Sequence, residues 1–198
     1  MAVPRRAAHR AREGAGTLTT APDYIEPVIG WRTWLVVPEG GAFRLRSVVY
    51  DTLWPARSEL VARCLHRAVS LPWRRRSVHA PPADNCACGI YAAREPVEAA
   101  SYLDGRSWAD GLSVHRVIGT VALWGRVVEC TRGWRGSLAY PKKIYVPPTR
   151  APFWLRAERV DKVALDLADY DVPVELLDPD CSSPIELVAA LGAEAAAD

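Results

Sequence analysis

Between Cys64 and Tyr91 the chain gathers three of its five cysteines and two of its four histidines: Cys64, His66, His79, Cys86 and Cys88. The surrounding stretch, from Trp54-Pro55 through Pro81-Pro82 to Cys88, has neither the alternation of a strand nor the period of a helix. A loop of this length inside a compact domain needs a function or a staple. Cys thiolates and His nitrogens are the ligands that a tetrahedral zinc ion takes. Cys64, His79, Cys86 and Cys88 are the best set, spaced Cys-x14-His-x6-Cys-x-Cys, with His66 as the alternative to His79 or Cys64. The close pair is Cys-x-Cys rather than the commoner Cys-x2-Cys. Gly89 follows it and lets the backbone turn tightly beside a ligand. The competing readings are idle thiols in a loop, or a redox or nucleophilic cysteine. Cys130 and Cys181 read as structural.

The flanking sequence is β-rich. Residues 27–37 are rich in β-branched and aromatic side chains, Pro38-Glu39-Gly40-Gly41 is a turn signal, and 43–50 begins with strand alternation. These predict an opening hairpin. Trp31 and Trp34 are three apart, so a strand sends them to opposite faces. Residues 89–92 read as a short strand, and Glu95-Pro96 opens a helix ending near Asp104-Gly105. In the block 113–130, Val117, Gly119, Val121 and Leu123 share one face, and Gly119 and Gly125 predict bends or bulges. A turn at 131–133 precedes one or two short strands over 134–145, broken at Pro141. Then 156–170 carries helical spacing at Val160, Val163, Ala164, Leu167 and Ala168. A short strand follows over 172–177, and Ser183-Pro184-Ile185-Glu186 starts a last helix. The expected fold is α+β: a β-rich, partly closed antiparallel sheet or small barrel, with a zinc-stapled loop and a helical C-terminal segment. The expected organisation is a disordered basic tail (1–24), a β-rich core domain with the Cys/His loop (25–150), and an acidic helical C-terminal segment packed on the core (151–198).

The formal net charge of +2 hides an asymmetry. Residues 1–160 carry 24 basic and 13 acidic side chains, while 161–198 carry one and ten. Such a split marks either an anionic partner for the basic part or an acidic end folded over a basic body. Three segments interleave basic and aromatic residues: Trp73 with Arg74, Arg75 and Arg76; Arg132, Trp134 and Arg135; and Tyr140 with Lys142 and Lys143. Positive charge beside stacking surface is what nucleic acid recognises. A solvated basic face in an arginine-biased chain produces the same pattern. The eight Trp could instead line a small-molecule pocket or form a protein interface.

No run of about 18 apolar residues occurs, so no membrane span is expected. The N-terminal residues are basic without an apolar core, so no signal peptide is expected either. A cytoplasmic location follows, where cysteines stay thiols or ligands. The chain has no P-loop, Gly-x-Ser-x-Gly or Gly-x-Gly-x-x-Gly. The reading is therefore a non-catalytic, zinc-stabilised binding or regulatory module, its partner a nucleic acid or an acidic protein. The alternative is a zinc- or thiol-dependent enzyme using the Cys64/His79/Cys86/Cys88 cluster, with Glu129 or Asp84 as a base.

Three motifs also carry a resemblance: Gly30-Trp31-Arg32-x-Trp34; His79-Ala80-Pro81 with Cys86-x-Cys88-Gly89-Ile90-Tyr91-Ala92; and Val117-Ile118-Gly119-x-Val121-x-Leu123-Trp124-Gly125-x-Val127-Val128-Glu129. Over residues 27 to 145 the chain resembles a group of small uncharacterised actinobacterial proteins. The resemblance implies a GC-rich bacterial source and a cytosolic protein, with His79, Cys86 and Cys88 as a shared unit; it brings no function. The bent strands with a Gly-x5-Gly spacing are similar to small barrels of the PUA kind.

Overall fold

A computed structural model describes residues 26–64, 79–103, 115–148 and 153–177, the side chains of 153–159 excepted. The basic tail, His66, Trp73, Arg74, Arg75, Arg76, Cys181 and the helix expected from Ser183 lie outside the described residues.

The chain opens with the expected hairpin, β1 (Val28–Glu39) and β2 (Ala42–Ser47), joined by the two-residue turn Gly40-Gly41. β3 (Leu60–Val61) and β4 (Ile90–Ala93) are short, and a helical turn, α1 (Pro96–Ala100), follows β4. α1 stops at Ala100, earlier than the sequence suggests. β5 (His115–Cys130) and β6 (Gly133–Val146) form a long antiparallel hairpin. α2 (Phe153–Leu167), a 3₁₀ turn (Ala168–Tyr170) and β7 (Val174–Leu176) complete the described chain. Among the described residues no helix is long and apolar enough to cross a membrane.

The strands make one seven-stranded sheet among the described residues. β5 lies between β1 and β6, antiparallel to both. The second edge of β6 is covered in turn by β4 at 133–136, β3 at 138–139 and β7 at 144–146. β4 also touches β1 through the single pair Trp31↔Ala93, so hydrogen bonding runs round a ring β1–β5–β6–β4. The sheet is mixed, not wholly antiparallel, because β7 runs parallel to β6. The ring is not a clear barrel, since one residue pair closes it.

β6 is a single strand, not two broken at Pro141. The register steps from Thr120↔Lys143 to Val121↔Pro141, leaving Lys142 as an extra residue. A bulge is where a strand tolerates a proline. A second step, from Trp124↔Leu138 to Val127↔Gly136, spans Gly125. There the Ser137 hydroxyl accepts the Arg126 N–H (2.9 Å) and donates to the Trp124 carbonyl (3.3 Å). Gly119 is required for close approach: a Cβ there would lie 2.0 Å from the Lys143 carbonyl oxygen.

Alternation sends Trp34 and Trp31 to opposite faces. Trp34 meets Trp54 edge-on at 5.5 Å inside the main core, with Leu45, Val117, Val121, Leu123 and Ile144. Trp31 stacks on Tyr145 at 6.1 Å, in a second cluster with α1. Val163, Leu167 and Tyr170 bring the C-terminal segment into the main core. Ion pairs join the same segment to the basic body: Asp169 to Arg44 (2.8 Å) and Glu175 to Lys143 (2.9 Å).

The fully buried Tyr170 hydroxyl accepts the Leu45 N–H (2.9 Å) and donates to the Trp54 carbonyl (2.8 Å). Tyr170→Phe strands both backbone groups, so we expect a loss of about 2 kcal/mol. Guanidinium unfolding reads this as a lower midpoint with an unchanged slope; an unchanged midpoint would contradict the tie.

Candidate metal centre

Two chain segments build the centre. Cys64 lies just beyond β3, which is paired to β6, and the Ala62 N–H donates to the Ser137 carbonyl (2.8 Å) to continue that anchorage. His79, Cys86 and Cys88 come from the segment leading into β4. A turn closed by the Cys86 N–H on the Ala83 carbonyl (3.1 Å) swings the Cys86–x–Cys88 pair round. Gly89 then takes φ +119°, packed so closely that a Cβ would sit 3.0 Å from the Pro82 Cβ and 3.1 Å from the Arg135 Cβ.

These segments bring Cys64, His79, Cys86 and Cys88 together, and their donor atoms all lie within 4.8 Å of one another. Cys64 Sγ is 3.7 Å from Cys86 Sγ, and His79 Nε2 is 3.3 Å from Cys88 Sγ. Tetrahedral zinc with ordinary bond lengths would set such S–S and S–N separations at about 3.8 and about 3.5 Å. The group could therefore hold a metal ion. Cys88 is buried and the other three are half-buried. Burial pushes the Cys86 thiol up, but hydrogen bonds from Cys88 and Cys64 and the Arg135 charge outweigh it and leave the pKa below its ordinary value. Burial pushes Cys88 up, and its sulfur neighbours push it further. The four described cysteines are free thiols.

Arg135 of β6 supports this loop from below. Its side chain is buried, and its Nη1 donates to the carbonyls of Cys86, Cys88 (3.1 Å) and, at the limit, Ala83 (3.5 Å). Its Nε donates to Cys130 Sγ at 3.2 Å. One guanidinium thus fixes the backbone at Cys86 and Cys88 and sets a positive charge beside the thiols. Where such a cluster holds a metal, groups that fix its surroundings in this way affect metal affinity.

The other basic and aromatic residues do not gather on one face. Arg132 is exposed on the β5–β6 turn and donates to Glu98 Oε1 at 2.8 Å. Trp134 is half-buried under the Arg94 guanidinium, 4.9 Å away. Lys142 is exposed at the bulge, and Lys143 is paired with Glu175 and lies over the Tyr145 ring. The Arg132–Trp134 group and the two lysines thus occupy opposite ends of β6, and Arg135 is turned inward. The support given by Arg135 is invisible in sequence, where it reads as one more arginine beside a tryptophan. Only its register opposite Tyr91 reveals that it sits under the loop.

No protein-family model, curated protein or solved structure matches the chain. The resemblance to the actinobacterial group rests on the motifs alone.

Arg135→Met keeps the volume and removes every donor to the loop. We expect a loss of about 2 kcal/mol from carbonyls left unpaired. Amide exchange of Cys86 and Cys88 should quicken while β1 and β5 stay protected. Unchanged exchange in the loop would show that Arg135 does not hold it.

Proposed function

We propose that this chain is a non-catalytic binding module whose ligand loop is held by a structural zinc ion. The observation that carries the reading is the convergence of four donors, three thiols and one imidazole, from segments flanking β3 and β4. Soft thiolates with an imidazole favour zinc over magnesium, calcium or manganese, which prefer oxygen. When bound, zinc would supply cross-linking of the loop, and the binding free energy would be folding free energy. Four protein donors fill a tetrahedral ion, which favours the structural role over catalysis by the same cluster. A cytoplasmic setting, where thiols stay reduced, suits a site built on them.

The stapled loop forms one wall of a groove of about 1590 Å³. Arg32, Trp54, Tyr91, Arg132 and Trp134 also line it. This supports a groove, rather than an outward basic stripe, as the binding surface. Its lining sets Arg32, Arg44, Arg63, Arg132 and Arg135 beside Glu39, Asp51, Glu59, Asp84 and Glu98, and the arginines with the aromatic side chains suit the anionic partner that the sequence suggests, a nucleic acid or an acidic protein.

Elemental mass spectrometry on tag-free protein, with Cys64→Ser and Cys88→Ser beside it, tests the staple. We expect about one zinc per chain, lost in either variant together with protection of the loop. Folded protein without metal ends this reading and turns attention to Cys64, Cys86 and Cys88 as reactive thiols.

A further inference from the structure

We propose that Arg32 and the aromatic groove around it bind a small planar anion, with the oxyanion group on the guanidinium and the ring against the aromatic side chains. This rests on reading the groove as the binding surface, and it adds the ligand's chemistry.

The argument starts from a gap in the ring. Along the outer edge of β1, β4 pairs only at Trp31 and β2 begins pairing at Trp34. Arg32 lies in the gap, and its side chain bridges the two neighbours. Nη1 donates to the Tyr91 carbonyl of β4, and Nη2 donates to Ser47 Oγ at the end of β2 (3.1 Å). The guanidinium lies 5.0 Å from the Trp54 ring, whose own Nε1 donates to the same Ser47 hydroxyl (3.1 Å). The cation is therefore held still from three directions.

These contacts do not neutralise it. No ion pair among the described residues involves Arg32. Its Nε is buried without an acceptor. Burial lowers its pKa to about 10, and the partial compensation comes from Tyr102, not from a carboxylate. Glu98, in the same groove, gives Oε1 to Arg132, while its Oε2 is buried without a partner. A desolvated guanidinium without a counter-ion is complementary to a carboxylate or phosphate.

The rim supplies the rest. Tyr50, Tyr91 and Tyr102 are exposed and, with the half-buried Trp134, line the groove that holds Arg32. Sites for small molecules combine such apolar walls with a few fixed polar groups in roughly 300–1,000 Å³, so the groove has room.

Calorimetric titration of the full chain as purified, with adenosine 5′-monophosphate and with benzoate, tests the proposal; adenosine is the uncharged control. We expect saturable binding of at least one anion, weakened about tenfold or more in Arg32→Gln and less in Arg32→Lys. Because Arg32 also ties β4 to β2, Arg32→Gln could fail to fold. The wild-type chain then decides: the anion must raise the melting midpoint more than adenosine does. No binding of either anion, equal binding of adenosine, or unchanged affinity in folded Arg32→Gln overturns the proposal. Zinc content on the same samples separates the two readings. Zinc without an anion response leaves the staple standing and sinks this inference. Anion binding by zinc-free folded protein does the reverse.

Discussion

The second edge of β6 sets the problem that the rest of the structure solves. β5 satisfies one side of this 14-residue strand. The other side would be a long open edge, a template for unwanted pairing. It is covered by four residues of β4, two of β3 and three of β7. Segments so short cannot hold themselves in place by ladder hydrogen bonds, because the ordering entropy of each residue exceeds what one net hydrogen bond returns. Each must be fastened by something outside the ladder.

Each fastening is visible and different. β7 is held from behind by the C-terminal segment, through the Tyr170 hydroxyl in the core and the pairs Asp169–Arg44 and Glu175–Lys143. β3 and β4 are neighbours on the β6 edge, and the Cys/His cluster joins the residue beyond β3 to the residues before β4. An ion there would bind two edge segments to each other. Arg135, on the strand they cover, holds the same loop by its carbonyls. The cluster and the arginine answer one need from two sides.

This division explains what was legible in the sequence. Local rules found the β1–β2 hairpin, the shared face of Val117, Gly119, Val121 and Leu123, and the bulge at Gly125, because each depends on neighbouring residues. The four residues of the Cys/His cluster were legible for another reason: cysteine and histidine carry their chemistry wherever they fall. Pro141 misled, since a proline reads as a break until the register shows the extra residue Lys142 beside it. β3, with two residues, has no pattern to detect, and the parallel run of β7 is decided by where α2 delivers the chain. Arg135 is the instructive miss. Its type suggested a surface, and its register on β6 put it under a loop.

Arg32 shows the same dependence at the other side of the ring. Closure by one pair, Trp31↔Ala93, leaves β1 bare where β4 ends and β2 has not begun. Backbone pairing cannot fill a gap of two residues, so a side chain does, with donors to both flanking strands. A neutral side chain would carry a smaller desolvation penalty there than a charged one. The charge has no ion-pair partner among the described residues, and it is held against Trp54 in the lining of the groove. Incomplete closure and an uncompensated cation meet at one residue.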